Sequence, residues 1–244
     1  MVISHRNKFL FIHNDKCAGT AIKNHFCTHK QFKVDLIGHW GQGMTPDLWK
    51  ESLSPKWQID GGKYFGDIMG FPTQHSNAVT LNAYFELMGW NWNEYFKFGI
   101  VRNPFDRIVS GYEWRRSVVT QWVSDKKNMA NKNNFKNIVS ETDGGFKEFV
   151  KRKCKKWNHQ EKYFYTNKTK ECIVDFIGRY ENLEQDFKHI VKTILPNATG
   201  ELLVLQPDNQ SIRRKDYRSY YDEETRGIVE QRLSGELELL GYNF

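Results

Sequence analysis

The sequence predicts an α/β fold, a single domain whose central, mainly parallel sheet is flanked by helices. Three observations lead to this prediction. Short apolar runs that suit buried strands alternate along the chain with segments of helical periodicity. The 244 residues suffice for one domain with a sizeable core, and are tight for two. Aromatic residues make up 15% of the chain, which excludes a disordered protein.

The first predicted unit is a strand, a tight loop and a helix. Residues 9–12 (FLFI) form a continuous apolar run typical of a strand buried in a parallel sheet. Residues 14–20 (NDKCAGT) have the composition of a turn. Ala21, Ile22 and Phe26 then follow at helical spacing, so we expect the helix to begin directly after the loop.

A second unit of the same kind follows. Residues 96–101 (FKFGIV) predict a strand, Asn103 suits a helix cap, Pro104 suits the first helical position, and Asp106 falls in the first turn. This helix is expected to reach about residue 116. Further helices are predicted over 78–88, 182–195 and 222–240, and a further strand over 172–177. Residues 38–75 and 124–145 are expected to be loop insertions in the single domain, which spans 1–244.

Charge and cysteine usage restrict the function classes. The net charge of +7 and the pI near 9.1 favour an anionic partner: a nucleotide, a nucleic acid or an acidic polysaccharide. The four cysteines form no CxxC pair and no zinc-spaced Cys/His array, so we expect no metal site. Unbridged thiols are favoured, and a Cys154–Cys172 disulfide is the alternative if the protein lies in an oxidising compartment.

Targeting signals are not recognised in the sequence. No apolar run approaches the roughly 18 residues of a membrane span. No signal peptide precedes the first strand, which predicts a cytoplasmic protein. If the sequence is a piece of a longer chain, the Golgi lumen or the secretory route is the alternative.

The loop at 14–20 has the composition of an anion-binding site. Its small residues allow close backbone approach, and the N–H groups of the following helix point at a ligand with the positive end of the dipole. Lys16 adds a charge and Thr20 a hydroxyl. The spacing differs from that of a Walker loop, in which the lysine directly precedes the hydroxyl residue. An ordinary turn with a solvated lysine is the alternative.

The second strand-to-helix junction offers partners for another phosphate. Arg102 leaves its strand at the carboxyl edge, where open α/β sheets bind ligands, and Ser110 lies on the following helix. A guanidinium and a hydroxyl there suit a phosphate. The alternatives are an Arg102–Asp106 ion pair and a packing role for Ser110.

These segments resemble the sulfotransferases that use 3′-phosphoadenosine 5′-phosphosulfate (PAPS). FLFIHNDKCAGTAIKNHF (9–26) resembles their 5′-phosphosulfate loop, and FGIVRNPFDRIVSGYEW (98–114) resembles their 3′-phosphate signature. Residues 175–187 and 217–244 are similar to segments of the carbohydrate branch, both Golgi-type and bacterial. The resemblance implies the P-loop NTPase-like sulfotransferase fold. The family usually has Pro where this chain has Asp15, and a small polar or Gly pair in place of Cys17–Ala18.

Carried over by position, the resemblance implies a role for each loop residue. Lys16 would contact the sulfate-bearing phosphate and the bridging oxygen, and Arg102 and Ser110 the 3′-phosphate. Arg213, Arg214 and Lys215 match a late loop, from which one or two would reach the 3′-phosphate. Backbone and hydroxyl contacts to the 5′-phosphate would come from Cys17, Ala18, Gly19, Thr20 and Ala21.

Transfer to a hydroxyl needs a general base, and histidine suits this role at neutral pH. His75 matches the segment that holds the family's presumed base; a helix-start His bonded to backbone is the alternative. His159 is the reserve candidate, Glu94 a further one, and His13 is expected to be structural.

The sequence therefore favours a PAPS-dependent sulfotransferase that acts on a hydroxyl-bearing acceptor, with a carbohydrate preferred. The basic run at 147–156 indicates either a solvated helix face or an acidic acceptor. A P-loop-type nucleotide phosphotransferase is the alternative, together with a non-catalytic nucleotide- or nucleic-acid-binding protein, although no nucleic acid is expected.

Overall fold

The computed structural model describes residues 1–37, 58–59, 63–64, 74–124, 138–166, 169–206 and 216–244. The chain divides into two compact units. The first comprises residues 1–101 and 162–208, and the second comprises 102–161 and 209–244. That the chain forms one domain over residues 1–244 stays a prediction.

The first unit contains a five-stranded mixed sheet. Its order is β3-β1-β2-β6-β7. β2 pairs with β6 and β6 with β7 in parallel, whereas β1 runs antiparallel to β2 and β3. Within this sheet only β1 runs against the others, so the predicted α/β class with a mainly parallel sheet is confirmed. The strands are β1 (Val2–Ser4), β2 (Phe9–Ile12), β3 (Leu36–Ile37), β6 (Phe96–Val101) and β7 (Phe176–Arg179), and a separate antiparallel pair is β4 (Gln58–Ile59) with β5 (Lys63–Tyr64).

Helices of the first unit supply much of its core. They are α1 (Gly19–Thr28), α2 (Ala78–Leu87) and α5 (Leu183–Ile194). Phe9 and Phe11 share one face of β2, since alternate strand residues point the same way. The Phe9 ring lies 5.1 Å from that of Phe26 on α1, and the Phe11 ring 5.4 Å from that of Phe98 on β6. This aromatic packing fixes α1 against the sheet.

The register of β2 and β6 brings the loop after β2 to the end of β6. Ile12 is paired with Gly99, and the Nδ2 group of Asn14 donates to the carbonyl oxygen of Ile100 at 3.0 Å. Gly99 is required there, because a Cβ atom would lie 2.2 Å from the Phe164 ring. The carboxyl end of β2 is therefore fixed beside that of β6.

The second unit is helical in its described residues. It contains α3 (Pro104–Ser124), α4 (Gly145–Lys153), α6 (Glu223–Arg232) and α7 (Ser234–Leu240). Phe105 and Ile108 of α3, Phe149 of α4 and Val229 of α6 are all buried in one cluster. Leu237 of α7 packs against this cluster, so the four helices share an apolar core of their own.

Several predicted boundaries differ from the structure. β1 was not predicted, because three residues show no usable periodicity. α3 continues to Ser124 rather than residue 116, since the sequence places no proline in that stretch. The strand predicted over 172–177 is Phe176–Arg179, and Cys172 makes only an isolated bridge to Tyr165. The helix predicted over 222–240 breaks at Leu233, before the weak helix formers Ser234 and Gly235.

Residues 38–57, 60–62, 65–73 and 125–137, in the two predicted insertions, lie outside the described residues, whereas 138–142 are helical. Cys154 is a buried free thiol and Cys172 an exposed one, so the two are not bridged. Among the described helices, none combines the length and the apolar character needed to cross a membrane.

Candidate active site

The loop between β2 and α1 has an unusual backbone. Lys16 and Ala18 adopt left-handed conformations, with φ of 64° and 58°. Such φ values cost a non-glycine residue roughly 1–2 kcal/mol each. Gly19 lies against the buried ring of His13, and a Cβ atom at Gly19 would be 1.9 Å from that ring. The loop is therefore held in a strained and closely packed conformation.

This conformation suits an anion-binding loop. Left-handed residues on either side of Cys17 turn successive backbone groups, as in the amide concavities that bind anions. Ala18 precedes α1 and makes no side-chain cap to the helix. Lys16 and Thr20 are both partly exposed. The junction thus offers a helix N-terminus, a charge and a hydroxyl to a ligand.

Two buried side chains stabilise the loop from inside. The Nδ2 group of Asn14 donates to the Sγ atom of Cys17 at 3.2 Å, and the Cys17 thiol donates to the carbonyl oxygen of Asp15 at 3.3 Å. Cys17 is only 1% exposed. These contacts fit a structural thiol that shapes the backbone.

The structure brings His75 to the same loop. Its Nδ1 atom lies 3.0 Å from the carbonyl oxygen of His13 and 3.1 Å from Oδ1 of Asp15. Both oxygens accept hydrogen bonds, so in the neutral ring Nδ1 carries the proton and Nε2 the lone pair. A neutral His75 in this tautomer can accept a proton at Nε2.

His13 supports this arrangement. It is 3% exposed, its ring stacks on Phe11 at 5.7 Å, and the His75 ring lies 4.6 Å away. Burial, followed by the nearby α-amino group of Met1 and then His75, lowers the pKa of His13 well below its ordinary value. A neutral His13 therefore acts as packing for Gly19, in agreement with its predicted structural role.

The second junction is built by buried side chains. Arg102 is 4% exposed, and its Nε group donates to Oδ2 of Asp106 at 2.7 Å. The amide of Phe105 donates to Oδ1 of Asn103, so Asn103 caps α3 as predicted. Ser110, two turns along α3, is 8% exposed.

Gln160 clamps the backbone of Arg102. Its Oε1 accepts from the Arg102 amide at 2.9 Å, and its Nε2 donates to the Arg102 carbonyl at 2.8 Å. The same Nε2 group donates to Oε1 of Glu236 at 2.6 Å, which fixes the amide orientation. Sequence analysis missed Gln160, because a lone glutamine 58 positions from Arg102 carries no recognisable signal.

Glu236 belongs to a polar network inside the second unit. Burial raises its pKa, although Arg107, whose Nη1 atom lies 3.6 Å away, opposes the increase. His159, Glu161 and Glu236 place donor atoms within 4.8 Å of one another, a group that could hold a metal ion. Both Glu236 oxygens already accept hydrogen bonds from Gln160. We therefore assign this group to the ion-pair network around Arg107.

The basic run on α4 is paired with acidic groups. Lys147 lies 2.9 Å from Asp222 and 2.6 Å from Glu224. Lys151 also contacts Glu224, and Lys153 contacts Glu141. These pairs reduce the charge that the run could offer to an acidic acceptor.

The remaining predicted site residues are a candidate base, Glu94, and three candidate phosphate contacts at 213–215. Glu94 pairs with Lys8 at 2.9 Å, away from the contacts that define the His75 site. Arg213, Arg214 and Lys215 lie outside the described residues.

Comparison with known proteins agrees with the sequence motifs. A family model described as the sulfotransferase family matches residues 1–243. No curated protein and no solved structure matches the chain. The family takes its sulfuryl group from PAPS and leaves adenosine 3′,5′-bisphosphate (PAP). Because the match covers almost every residue, the chain belongs to the sulfotransferase family and is a PAPS-dependent enzyme.

Proposed function

We propose that the chain transfers the sulfuryl group of PAPS to a carbohydrate hydroxyl, with His75 as the general base. One observation carries this proposal. The Nδ1 atom of His75 is held by two acceptors of the Lys16 loop, the His13 carbonyl and the Asp15 carboxylate, so its Nε2 atom is the proton acceptor.

We assign one end of the donor to each of the two junctions. In the first, Lys16 and the backbone of residues 17–21 hold the 5′-phosphate, because the left-handed loop and the start of α1 present N–H groups to an anion. In the second, Arg102 and Ser110 hold the 3′-phosphate through a guanidinium and a hydroxyl. Arg213 and Arg214 join them by resemblance alone.

The chemistry is an in-line transfer. PAPS supplies an activated sulfuryl group. A bond forms between sulfur and the acceptor oxygen, the bond from sulfur to the bridging phosphate oxygen breaks, and the hydroxyl proton moves to Nε2 of His75. Lys16 and the N–H groups of α1 stabilise the charge that develops on the leaving phosphate. The reaction as proposed assigns no step to a metal ion.

The acceptor class rests on sequence. The segments at 175–187 and 217–244 resemble the carbohydrate branch, which supports a sugar hydroxyl. The ion pairs of α4 favour a neutral sugar over an acidic polysaccharide. The cellular compartment stays a prediction.

The proposal is tested with radiolabelled PAPS and a panel of glycans and small alcohols. On the best acceptor, His75→Ala should lower kcat by roughly 10²- to 10⁴-fold and leave PAP affinity nearly unchanged. His189→Ala, which removes an exposed histidine on α5, is the matched control and should retain full turnover. Near-normal turnover of His75→Ala would contradict the base assignment and direct attention to His159.

A further inference from the structure

A carboxylate stands beside the proposed base. Oδ1 of Asp15 lies 3.1 Å from Nδ1 of His75, and Oδ2 of Asp15 accepts a hydrogen bond from the hydroxyl of Tyr163 at 3.3 Å. The Asp15 side chain is 34% exposed and that of His75 20%. Tyr163 is only 5% exposed and lies 148 positions from Asp15, so a buried hydroxyl from a distant segment orients the carboxylate.

We propose that Asp15 is a positioning residue for sulfuryl transfer, acting through His75. This inference rests on the proposed function, since it assumes that His75 takes the proton. When the acceptor hydroxyl loses its proton to Nε2, the imidazole ring becomes positively charged. The Asp15 carboxylate stabilises that charge from the Nδ1 side, as a buried carboxylate does in hydrolase triads.

The two acceptors at Nδ1 have different roles. The His13 carbonyl is neutral and part of the backbone, so it fixes the tautomer in any Asp15 variant. Only Asp15 supplies a negative charge that becomes more favourable as the ring becomes positive. Of the further titratable groups that the described contacts place around this pair, His13 lies beside the His75 ring, Tyr163 contacts Asp15, and Lys16, Lys23 and the α-amino group of Met1 act on His13; none of these groups is a carboxylate.

The identity of residue 15 makes this role particular to the chain. The loop that it resembles usually carries proline at this position, and proline has neither a charge nor a side-chain acceptor. A purely structural reading explains the Tyr163 contact but not why the other oxygen lies at the Nδ1 atom of a proton acceptor.

The test is a double-mutant cycle with Asp15→Asn, His75→Ala and the double variant, assayed at saturating PAPS. Asparagine keeps the shape and removes the charge. Asp15→Asn should lower kcat by about 10- to 100-fold, with PAP affinity changed less than about threefold. In the His75→Ala background the same substitution should have almost no further effect, because Asp15 acts only through the ring.

Two more readouts separate positioning from loop stability. In Asp15→Asn the acid limb of the kcat/KM profile should move to lower pH, since the protonated ring loses its counter-ion. Tyr163→Phe should also lower kcat, but by a smaller factor than Asp15→Asn. Asp143→Asn, at an exposed turn carboxylate, is the matched control and should change neither the rate nor the profile.

Each outcome decides between distinct conclusions. Multiplicative losses in the double variant would show that Asp15 acts independently of His75 and would overturn the inference. Lost PAP affinity with unchanged kcat would assign Asp15 to the phosphate loop instead. If His75→Ala itself keeps its turnover, the proposed base fails, whatever Asp15→Asn does.

Discussion

The two strand-to-helix junctions are built by different means. In the first, between Ile12 and Gly19, the left-handed backbone of Lys16 and Ala18 sets the shape. In the second, between Val101 and Pro104, the backbone is held by a buried glutamine and the arginine by an ion pair. Both follow neighbouring parallel strands of similar apolar character.

The two junctions should therefore be damaged by different kinds of substitution. A loop whose shape depends on φ and on close packing is sensitive to one added methyl group. A junction held by buried hydrogen bonds is sensitive to the loss of a partner, because the remaining polar groups are left without compensation. Matched substitutions can therefore distinguish the two.

The largest effect is expected at Gly19. Gly19→Ala would place a Cβ atom 1.9 Å from the His13 ring, so the ring or the loop must move. We expect the free energy of unfolding to fall by about 3 kcal/mol and PAP binding to weaken strongly. Gly227→Ala, in α6 with open space around the new Cβ, is the control and should raise stability slightly. Equal stabilities in urea unfolding would show that the first junction tolerates the added volume.

Gln160→Ala tests the second junction. The substitution leaves the Arg102 amide and carbonyl without the bonds that the Gln160 side chain supplies, and removes the Nε2 donor to Glu236, whereas the backbone N–H of residue 160 still donates to Glu236. We expect a loss of about 2–3 kcal/mol in the free energy of unfolding. Gln185→Ala, at an exposed site on α5, should stay within about 0.5 kcal/mol of the parent chain. A similarly small loss for Gln160→Ala would refute the clamp.

Lowering the pH should change the stability contributions of His13, in the first junction, and Glu236, near the second, in opposite directions. The pKa of His13 in the folded chain is lowered well below 6.5. Below about pH 6.5 the unfolded chain therefore binds a proton at His13 that the folded chain does not bind, so the free energy of unfolding decreases as pH falls. The pKa of Glu236 is raised above 4.5, so its contribution increases as pH falls towards 4.5. Each slope is at most about 1.4 kcal/mol per pH unit. Between pH 7 and pH 5, urea unfolding of His13→Asn should show a smaller loss of stability than the parent chain, and that of Glu236→Gln a greater loss. If both variants keep the pH dependence of the parent chain, these assignments are wrong.

The smallest effect is expected at Ala18. Ala18→Gly relieves a left-handed alanine and should raise the free energy of unfolding by about 0.5–1 kcal/mol. Ala83→Gly, in the exposed face of α2, should lower it by about 1 kcal/mol. Opposite signs for the same substitution would confirm that backbone strain is stored in the first junction, and equal signs would contradict it.

Local signals in the sequence predicted both junctions well. The runs at 9–12 and 96–101 give β2 and β6 with the predicted bounds, and Asn103–Pro104 marks the start of α3. The sequence could not predict the contacts that form only when distant parts of the chain fold together. Tyr163 and Asp15 are 148 positions apart, and Gln160 and Glu236 76 apart, so neither pairing leaves a pattern in the chain. The left-handed φ of Lys16 was equally hidden, since lysine rarely adopts it.

The most direct test of the account compares the affinities of PAP and adenosine 5′-monophosphate for the parent chain and for Arg102→Ala, by titration calorimetry. The parent should bind PAP at least about tenfold more tightly, and Arg102→Ala should remove most of that preference, because we assign the lost guanidinium to the 3′-phosphate, which adenosine 5′-monophosphate lacks. Lys16→Ala removes the charge that we assign to the 5′-phosphate, which both ligands share, so it should weaken the binding of both ligands alike. An Arg102→Ala variant that keeps the full preference for PAP would contradict the account.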